Sequence, residues 1–333
     1  MTTEGRFGDI PVEDGPEEPA MLGASATIEA RDVAKRKRQR VKRQSGRLEA
    51  LADGRIEYVY EPHVAVMPPL RSYFAALWER RAFGVELARS EIRGKRSSTT
   101  LGSLWALLDP LFMASIYFFL FSVISRGGRT TDFIPSIVTG ILLFQITGGA
   151  FGVGGNSVRK GKNLMLNSVF PRALLPLSAI YGLVLSFLPS IPIICGALLI
   201  FNDWDPGRAF SLHQLWFIPV FLVIVALAVG FALAISTLVV FVTDASNLMN
   251  YISRVFFFST PIIYPYDRLT GTVVFDYIRW QPFFGAYVNA QRLVAGNRPD
   301  FGLLLTSLAW AIGMLIFGFW VFLRYERQFA SKI

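Results

Sequence analysis

LHQLWFIPVFLVIVALAVGFALAISTLVVFV, residues 212–242, runs for 31 residues without an Asp, Glu, Lys or Arg. An α-helix rises about 1.5 Å per residue, so roughly 20 apolar residues cover the ~30 Å hydrocarbon core of a bilayer. In lipid a helix also satisfies its own backbone hydrogen bonds, which an open strand cannot do. Residues 212–242 therefore read as a membrane span. Reading outward, residues 101–124, 133–155, 173–201 and 301–323 share this character, with Asp109 their single charged residue. Residues 245–266 make a sixth span that encloses Arg254 and whose outer end is expected to break at Pro261 and Pro265. Residues 280–296 (WQPFFGAYVNAQRLVAG) are aromatic and interrupted, and read as a re-entrant or interfacial segment. The expected fold is an all-α polytopic membrane protein with six transmembrane helices and a re-entrant segment before the last span.

Composition agrees. Of 333 residues, 53% are hydrophobic and 17% charged, against roughly 25% charged in soluble domains. A soluble enzyme, a disordered protein and a disulfide scaffold are excluded. The one cysteine, Cys195, leaves no intramolecular bridge and no cysteine metal cluster.

The amino-terminal third is organised by charge. Residues 1–69 are expected to be a disordered cytoplasmic extension, acidic over 1–30 and then basic, with nine Lys or Arg in 31–47. No basic segment precedes an apolar one near Met1, so no cleaved signal peptide is expected. Residues 70–98 differ. Phe74, Leu77, Trp78, Val85, Ala88 and Ile92 recur at helical spacing, with Arg80, Glu86, Arg89 and Arg93 on the other faces. This predicts an amphipathic interface helix, bent at Gly84, on the cytoplasmic surface ahead of the membrane domain of residues 99–333.

Orientation follows from Lys and Arg in the short loops. Residues 156–172 carry Arg159, Lys160, Lys162 and Arg172 and no acid. The amino-terminal segments and the tail with Arg324, Arg327 and Lys332 are also basic. Six crossings put all three on one side, with both termini in the cytoplasm and the protein multi-pass in the plasma (inner) membrane.

No catalytic or metal-binding constellation emerges. The stretch from Gly155 to Asn163 imitates a phosphate-binding loop, but five residues rather than four separate Gly155 from Gly161. Asn163 also stands where a magnesium-holding hydroxyl is required. Nucleotide binding by this chain is therefore rejected, and no cofactor is assigned to it. A polytopic protein without an engine is either a passive pore or one part of a larger machine. Residues 156–172 are the natural docking element, because basic residues mix there with Leu164, Met165, Leu166, Val169 and Phe170. By composition alone, an ordinary basic loop is the simpler reading.

The run RSEIRGKRSSTTLGSLWALLDPL (89–111) followed by IYFFLFS (116–122) resembles the entry to the first span in membrane subunits of ABC-2-type polysaccharide exporters. That family exports O-antigen, teichoic acid and galactan. NSVFPR (167–172) with LPL (175–177), STPIIYP (259–265), QPFF (281–284) through Arg292 and RYERQF (324–329) are similar to later pieces, in the same order. The entry departs from the usual pattern, with Asp109 where the family has Asn and Gly94-Lys-Arg-Ser97 for its Arg-Tyr-Arg-Gly. The resemblance implies a permease working as two copies with two copies of a separate ATPase that brings ATP and Mg. It implies coupling contacts at Arg159, Lys160, Asn163, Leu166, Asn167, Phe170 and Arg172. The cargo implied is a polyprenyl-diphosphate-linked glycan, and the Arg-rich extension favours a cell-wall galactan.

Sugars cannot cross hydrocarbon without a lined path, and their C–H faces stack on aromatic rings. The chain has 29 Phe, 11 Tyr and 7 Trp. Tyr117, Phe118, Phe121, Phe144, Phe256, Phe257, Phe258 and Tyr264 are the candidates for lining a channel at the dimer centre. Arg93, Lys95 and Arg96 are candidates for the entering diphosphate, with snorkelling to the headgroups as their plainer role. No nucleic acid is expected as a partner. Two rivals stay open: an ABC-2 exporter of a drug or lipid, and an integral membrane enzyme of lipid-linked glycan assembly.

Overall fold

The computed structural model describes residues 70–97, 100–124, 134–264, 271 and 273–332. The expected extension over 1–69 lies outside them. Every regular element among the described residues is helical. Four stretches are long and apolar enough to cross a membrane: Ile134–Gly154, Leu174–Phe201, Leu212–Phe241 and Phe301–Gln328.

The chain enters through α1 (Leu70–Glu79) and α2 (Arg81–Ser97). The expected bend at Gly84 is instead a break at Arg80. Gly84 serves another purpose: a Cβ there would meet Leu174 at 3.1 Å, so its bare backbone lets α2 pack against the span that Leu174 begins. The helix α3 (Trp105–Ile124) follows, with Pro110 in its second turn. Next comes α4 (Ile134–Gly149), which passes directly into a π-helical turn, Ala150–Gly154. Two short helices, α5 (Ser157–Lys160) and α6 (Lys162–Asn167), make up the basic loop.

The span expected over 173–201 is present as Leu174–Phe201 and is built of two helices, α7 (Leu174–Phe187) and α8 (Ser190–Phe201). Pro189 has no N–H for the helical ladder and breaks it there. A short turn, α9 (Pro206–Ala209), is capped by the Asp205 carboxylate, which accepts from the Gly207 N–H at 2.9 Å. The long helix α10 (Phe217–Phe241) is the hub. Its Ile224, Leu227, Ala228, Ala232 and Val239 belong to the main apolar core, which α4, α7 and the later helices complete.

Segment 245–266 breaks at Pro261 as expected, and the helix before the break is short. The helix α11 (Ala245–Ser259) has 15 residues, about 22 Å of rise. It stops before Pro261 because a residue preceding proline disfavours the helical region, and Thr260 is extended at φ −83°, ψ 138°. After α12 (Val273–Ile278), the aromatic stretch at 280–296 forms α13 (Phe284–Val294), buried almost all round between α4, α10 and α14 (Phe301–Tyr325). The last turn is α15 (Phe329–Lys332).

Broken backbone inside a bundle needs partners. Here two glutamines supply them. The Gln281 carboxamide donates to the Ser259 carbonyl at 3.0 Å and to the Thr260 hydroxyl at 3.1 Å. The Gln291 carboxamide donates to the carbonyls of Pro261 and, at 3.3 Å, Ile262. Asn289 closes the far end, with its carbonyl oxygen accepting from Asp300 N–H at 2.6 Å and its amide donating to Asp300 carbonyl at 3.1 Å. Asp300 in turn caps α14 through Leu303 N–H. Replacing Gln291 with leucine strands two buried carbonyls. We expect a loss of ~1–3 kcal/mol, read as a lower unfolding midpoint in detergent. A midpoint equal to wild type contradicts the clamp.

Candidate functional site at the basic end of the bundle

Three sequence-distant pieces meet at one end of the bundle: α1 and α2, the loop 156–173, and the end of α14. A second apolar cluster joins them, comprising Tyr73, Val158, Met165, Ala173, Leu175, Leu233, Val240, Phe322, Leu323 and Phe329. The sequence expectation that these pieces share a side agrees with this convergence.

The loop is shaped by its small residues and its proline. Gly161 separates α5 from α6, and a Cβ there would meet Leu175 at 2.8 Å, so the turn lies flat on α7. After Asn167 the chain is extended at Ser168, φ −145°, ψ 142°, and then reaches Pro171. Bracing holds the loop from both sides. The Arg80 guanidinium donates to the Val169 carbonyl, and the rings of Phe83 and Phe170 lie 5.4 Å apart. Arg159 donates to the Thr243 carbonyl at 3.4 Å. Arg172 donates to the backbone carbonyl of Glu326.

These braces sort the seven expected coupling residues. Lys160, Asn163, Leu166 and Asn167 are exposed, whereas Arg159, Phe170 and Arg172 are half-buried and engaged in bracing. Val169, which the expected contact set did not include, is 91% exposed, and Leu166 is 60% exposed. Two apolar knobs thus stand out of a rigid, basic loop. Beside them lies a cavity of about 430 Å³ between α2, α5–α6 and α7, lined by Leu87, Glu91, Lys160, Asn163, Asn167 and Ser178 among others.

The entry cations are placed less completely. Arg93 is exposed and lies 3.6 Å from Glu86, a surface pair of little energetic weight. Lys95 and Arg96 belong to α2, but their side chains lie outside the description, as do those of Tyr117, Phe118 and Phe121 on α3.

The remaining aromatic candidates divide in two. Phe256 packs among core rings, edge-on to Phe283 at 5.2 Å and Phe231 at 6.2 Å and tilted to Phe151 at 5.5 Å. Phe144 meets Phe257 edge-on at 5.0 Å, and Phe257 meets Phe258 at 5.2 Å. Phe258 is 62% exposed and shares an outward face with Leu248, Tyr251 and Val255. Those four residues recur at helical spacing on α11. The Tyr264 hydroxyl donates to the Phe258 carbonyl at 2.9 Å.

Sequence reasoning missed Gln281, Asn289, Gln291, Tyr73 and Glu326. Amides inside apolar stretches are expensive in a membrane and are a signal in themselves. Tyr73 and Glu326 gave no such signal, because each lies in an ordinary amphipathic or basic segment.

Comparison with known proteins accords with this architecture. Residues 84–294 match the family model described as ABC-2 type transporter. The chain is 27% identical over 186 residues to an O-antigen export system permease protein RfbA of Klebsiella pneumoniae, covering 56% of this chain and 70% of that protein. It is 21% identical over 263 residues to the protein of the same name from Myxococcus xanthus, covering 77% and 97% respectively. Long apolar helices, a braced basic loop and a family match across most of the chain lead to one conclusion: this multi-pass membrane protein belongs to the ABC-2 type transporter family.

Proposed function

We propose that this chain is the transmembrane subunit of an ATP-driven exporter that moves a polyprenyl-diphosphate-linked polysaccharide from the cytoplasm to the outer face of the plasma membrane. The observation that carries this reading is the braced loop with Leu166 and Val169 exposed at its tip. A loop held this rigidly passes a push to α4 and α7 instead of absorbing it. In this reading Lys160, Asn163, Leu166, Asn167 and Val169 touch a separate ATPase, while Arg159, Phe170 and Arg172 keep the loop stiff. Two copies of the chain work with two copies of that ATPase, which supplies ATP and Mg. The basic end faces the cytoplasm with both termini. The re-entrant element is α13, held in place by the glutamine clamps, and six spans are completed by α3 and α11. The relatives named as O-antigen permeases support a glycan cargo. For the polymer we propose a cell-wall galactan, favoured by the Arg-rich segment at 31–47.

The test is reconstitution of the chain with its ATPase in vesicles, scoring ATP-dependent translocation of lipid-linked galactan, O-antigen and teichoic-acid chains. Translocation of none of them, or translocation without ATP, rejects the reading. Arg93, Lys95 and Arg96 at the end of α2 receive the diphosphate. Phe144, Phe257 and Phe258, with Tyr117, Phe118, Phe121 and Tyr264, offer the sugar path, and Phe256 supports it from the core. Replacing Phe257 and Phe258 together with alanine is expected to slow export about tenfold, equivalent to ~1.4 kcal/mol on the barrier. Unchanged export removes them from the path.

A further inference from the structure

Glu326 follows the last residue of α14 and joins segments that the sequence holds far apart. Its carboxylate oxygen accepts from the Arg172 backbone N–H at 2.8 Å, and the Arg172 guanidinium donates back to the Glu326 backbone carbonyl. That carbonyl, which also accepts from the Phe329 N–H, lies at a helix C-terminus, where a cation is favoured. From α1, Tyr73 donates its hydroxyl to the same carboxylate and accepts from the Ala173 N–H at 3.3 Å. Tyr73 is 8% exposed, and the surrounding cluster includes Met165, Ala173, Phe322 and Phe329. Burial first, and then the Glu326 charge, push the Tyr73 phenol up. It therefore stays protonated and remains a donor.

We infer that Glu326 is a positioning residue that locks the loop Ser168–Ala173 to both α1 and α14, so that loop and tail move as one body when a partner displaces the loop. This rests on the docking reading above. The physical case is one of connectivity. A push at Leu166–Val169 reaches α7 through the chain itself, since Ala173 adjoins Leu174. It reaches α14, more than 150 residues later, through this node. Charge-assisted hydrogen bonds between half-buried groups hold better than an exposed surface pair. Beyond the node, α14 touches the hub α10 backbone to backbone at Gly318 and Gly230, so a shift of its end is not lost in side-chain play.

The experiment uses the full chain with its ATPase in nanodiscs, in a Cys195→Ser background. Spin labels sit at Ser168 and Ser331, both exposed. In the otherwise unaltered protein, one narrow distance is expected, identical in nucleotide-free and vanadate-trapped complexes. In Glu326→Ala and Tyr73→Phe, that distance is expected to shift or broaden on trapping, while ATP hydrolysis stays within about twofold. Glu326→Gln is expected to restore the narrow distance, because its carboxamide oxygen accepts the same bonds. A distance that changes on trapping without these substitutions overturns the inference. So do an alanine variant that stays narrow and a Gln variant that fails to restore. A simple structural brace behaves as the narrow alanine case does, with only thermal stability lowered. The label at Ser168 alone separates the two readings. No loss of its mobility when the ATPase is added sinks docking, and this inference with it. An immobilised label with a distance that changes in the unaltered protein sinks the inference alone.

Discussion

Replacing Gly318 with valine is expected to remove most of the folded protein. On α14, Gly318 faces Gly230 of α10, and a Cβ at Gly318 would fall on the Gly230 carbonyl oxygen. A Cβ at Gly230 would lie 2.6 Å from the carbonyl carbon of Met314. Backbone stands on both sides, so no rotamer change relieves the clash. Membrane helices lack a hydrophobic drive toward each other and depend on close packing, which small residues allow. Overpacking a tight contact costs ~1–3 kcal/mol or more. This crossing sits at the hub, so we expect the upper end, at least ~3 kcal/mol. Unfolding in increasing denaturing detergent, together with monodispersity on size exclusion, measures it. Gly313 on the same helix is the control: nothing lies within 4 Å of its Cβ position. Gly313→Ala is expected to be neutral or slightly stabilising, since glycine costs a helix interior roughly 0.5–1 kcal/mol relative to alanine. If Gly318→Val unfolds like Gly313→Ala, the packing argument fails.

The second large effect is expected at the loop tip. Leu166→Glu with Val169→Glu puts two acids on the most exposed apolar side chains of the basic loop. Neither side chain supports the fold, so insertion and detergent stability are expected to match wild type. Fully burying a leucine or valine side chain contributes about 1.5–3 kcal/mol, and an acid in its place also carries a charge into the contact. Losing both is expected to weaken binding of the ATPase at least 100-fold and to stop ATP-dependent export. Titration of the purified permease with its ATPase, in parallel with vesicle export, measures both. Full affinity in the double variant moves the docking face elsewhere. An Arg80→Ala variant sharpens the comparison, since it removes the bond to the Val169 carbonyl while leaving the knobs in place.

The long spans were legible because each is a local property. Residues 212–242 have no charged residue over 31 positions, and a bilayer leaves such a stretch one economical conformation. The amphipathic pattern of 70–96 and the prolines at 171 and 261 are local in the same sense. Each states what its own backbone can do. The break at Arg80 was not legible, because Gly84 looked like the weak point. Its bare backbone serves contact with Leu174, a residue 90 positions away. The break at Pro189 was available in the sequence but masked by uniform apolarity on both sides.

The aromatic candidates show the same boundary. Spacing placed Phe256, Phe257 and Phe258 in one helix but not on one surface. Only packing put Phe256 among Phe151, Phe231 and Phe283 and left Phe258 outside. Likewise, composition marked 156–172 as basic and partly apolar. It did not show that Arg172 turns inward to Glu326 while Val169 turns out.

By itself, then, the sequence determined that this chain crosses a membrane, where its four long apolar stretches lie, and which end collects its cations. Hydropathy and charge act on each segment against its surroundings, whether or not the segments have met. The tertiary structure decided which glycines are contact points, which amides repair the broken backbone at 259–262, and how Tyr73, Arg172 and Glu326 come together. Those outcomes depend on pairs of residues tens to hundreds of positions apart, and a pairwise distance is not written in either partner alone.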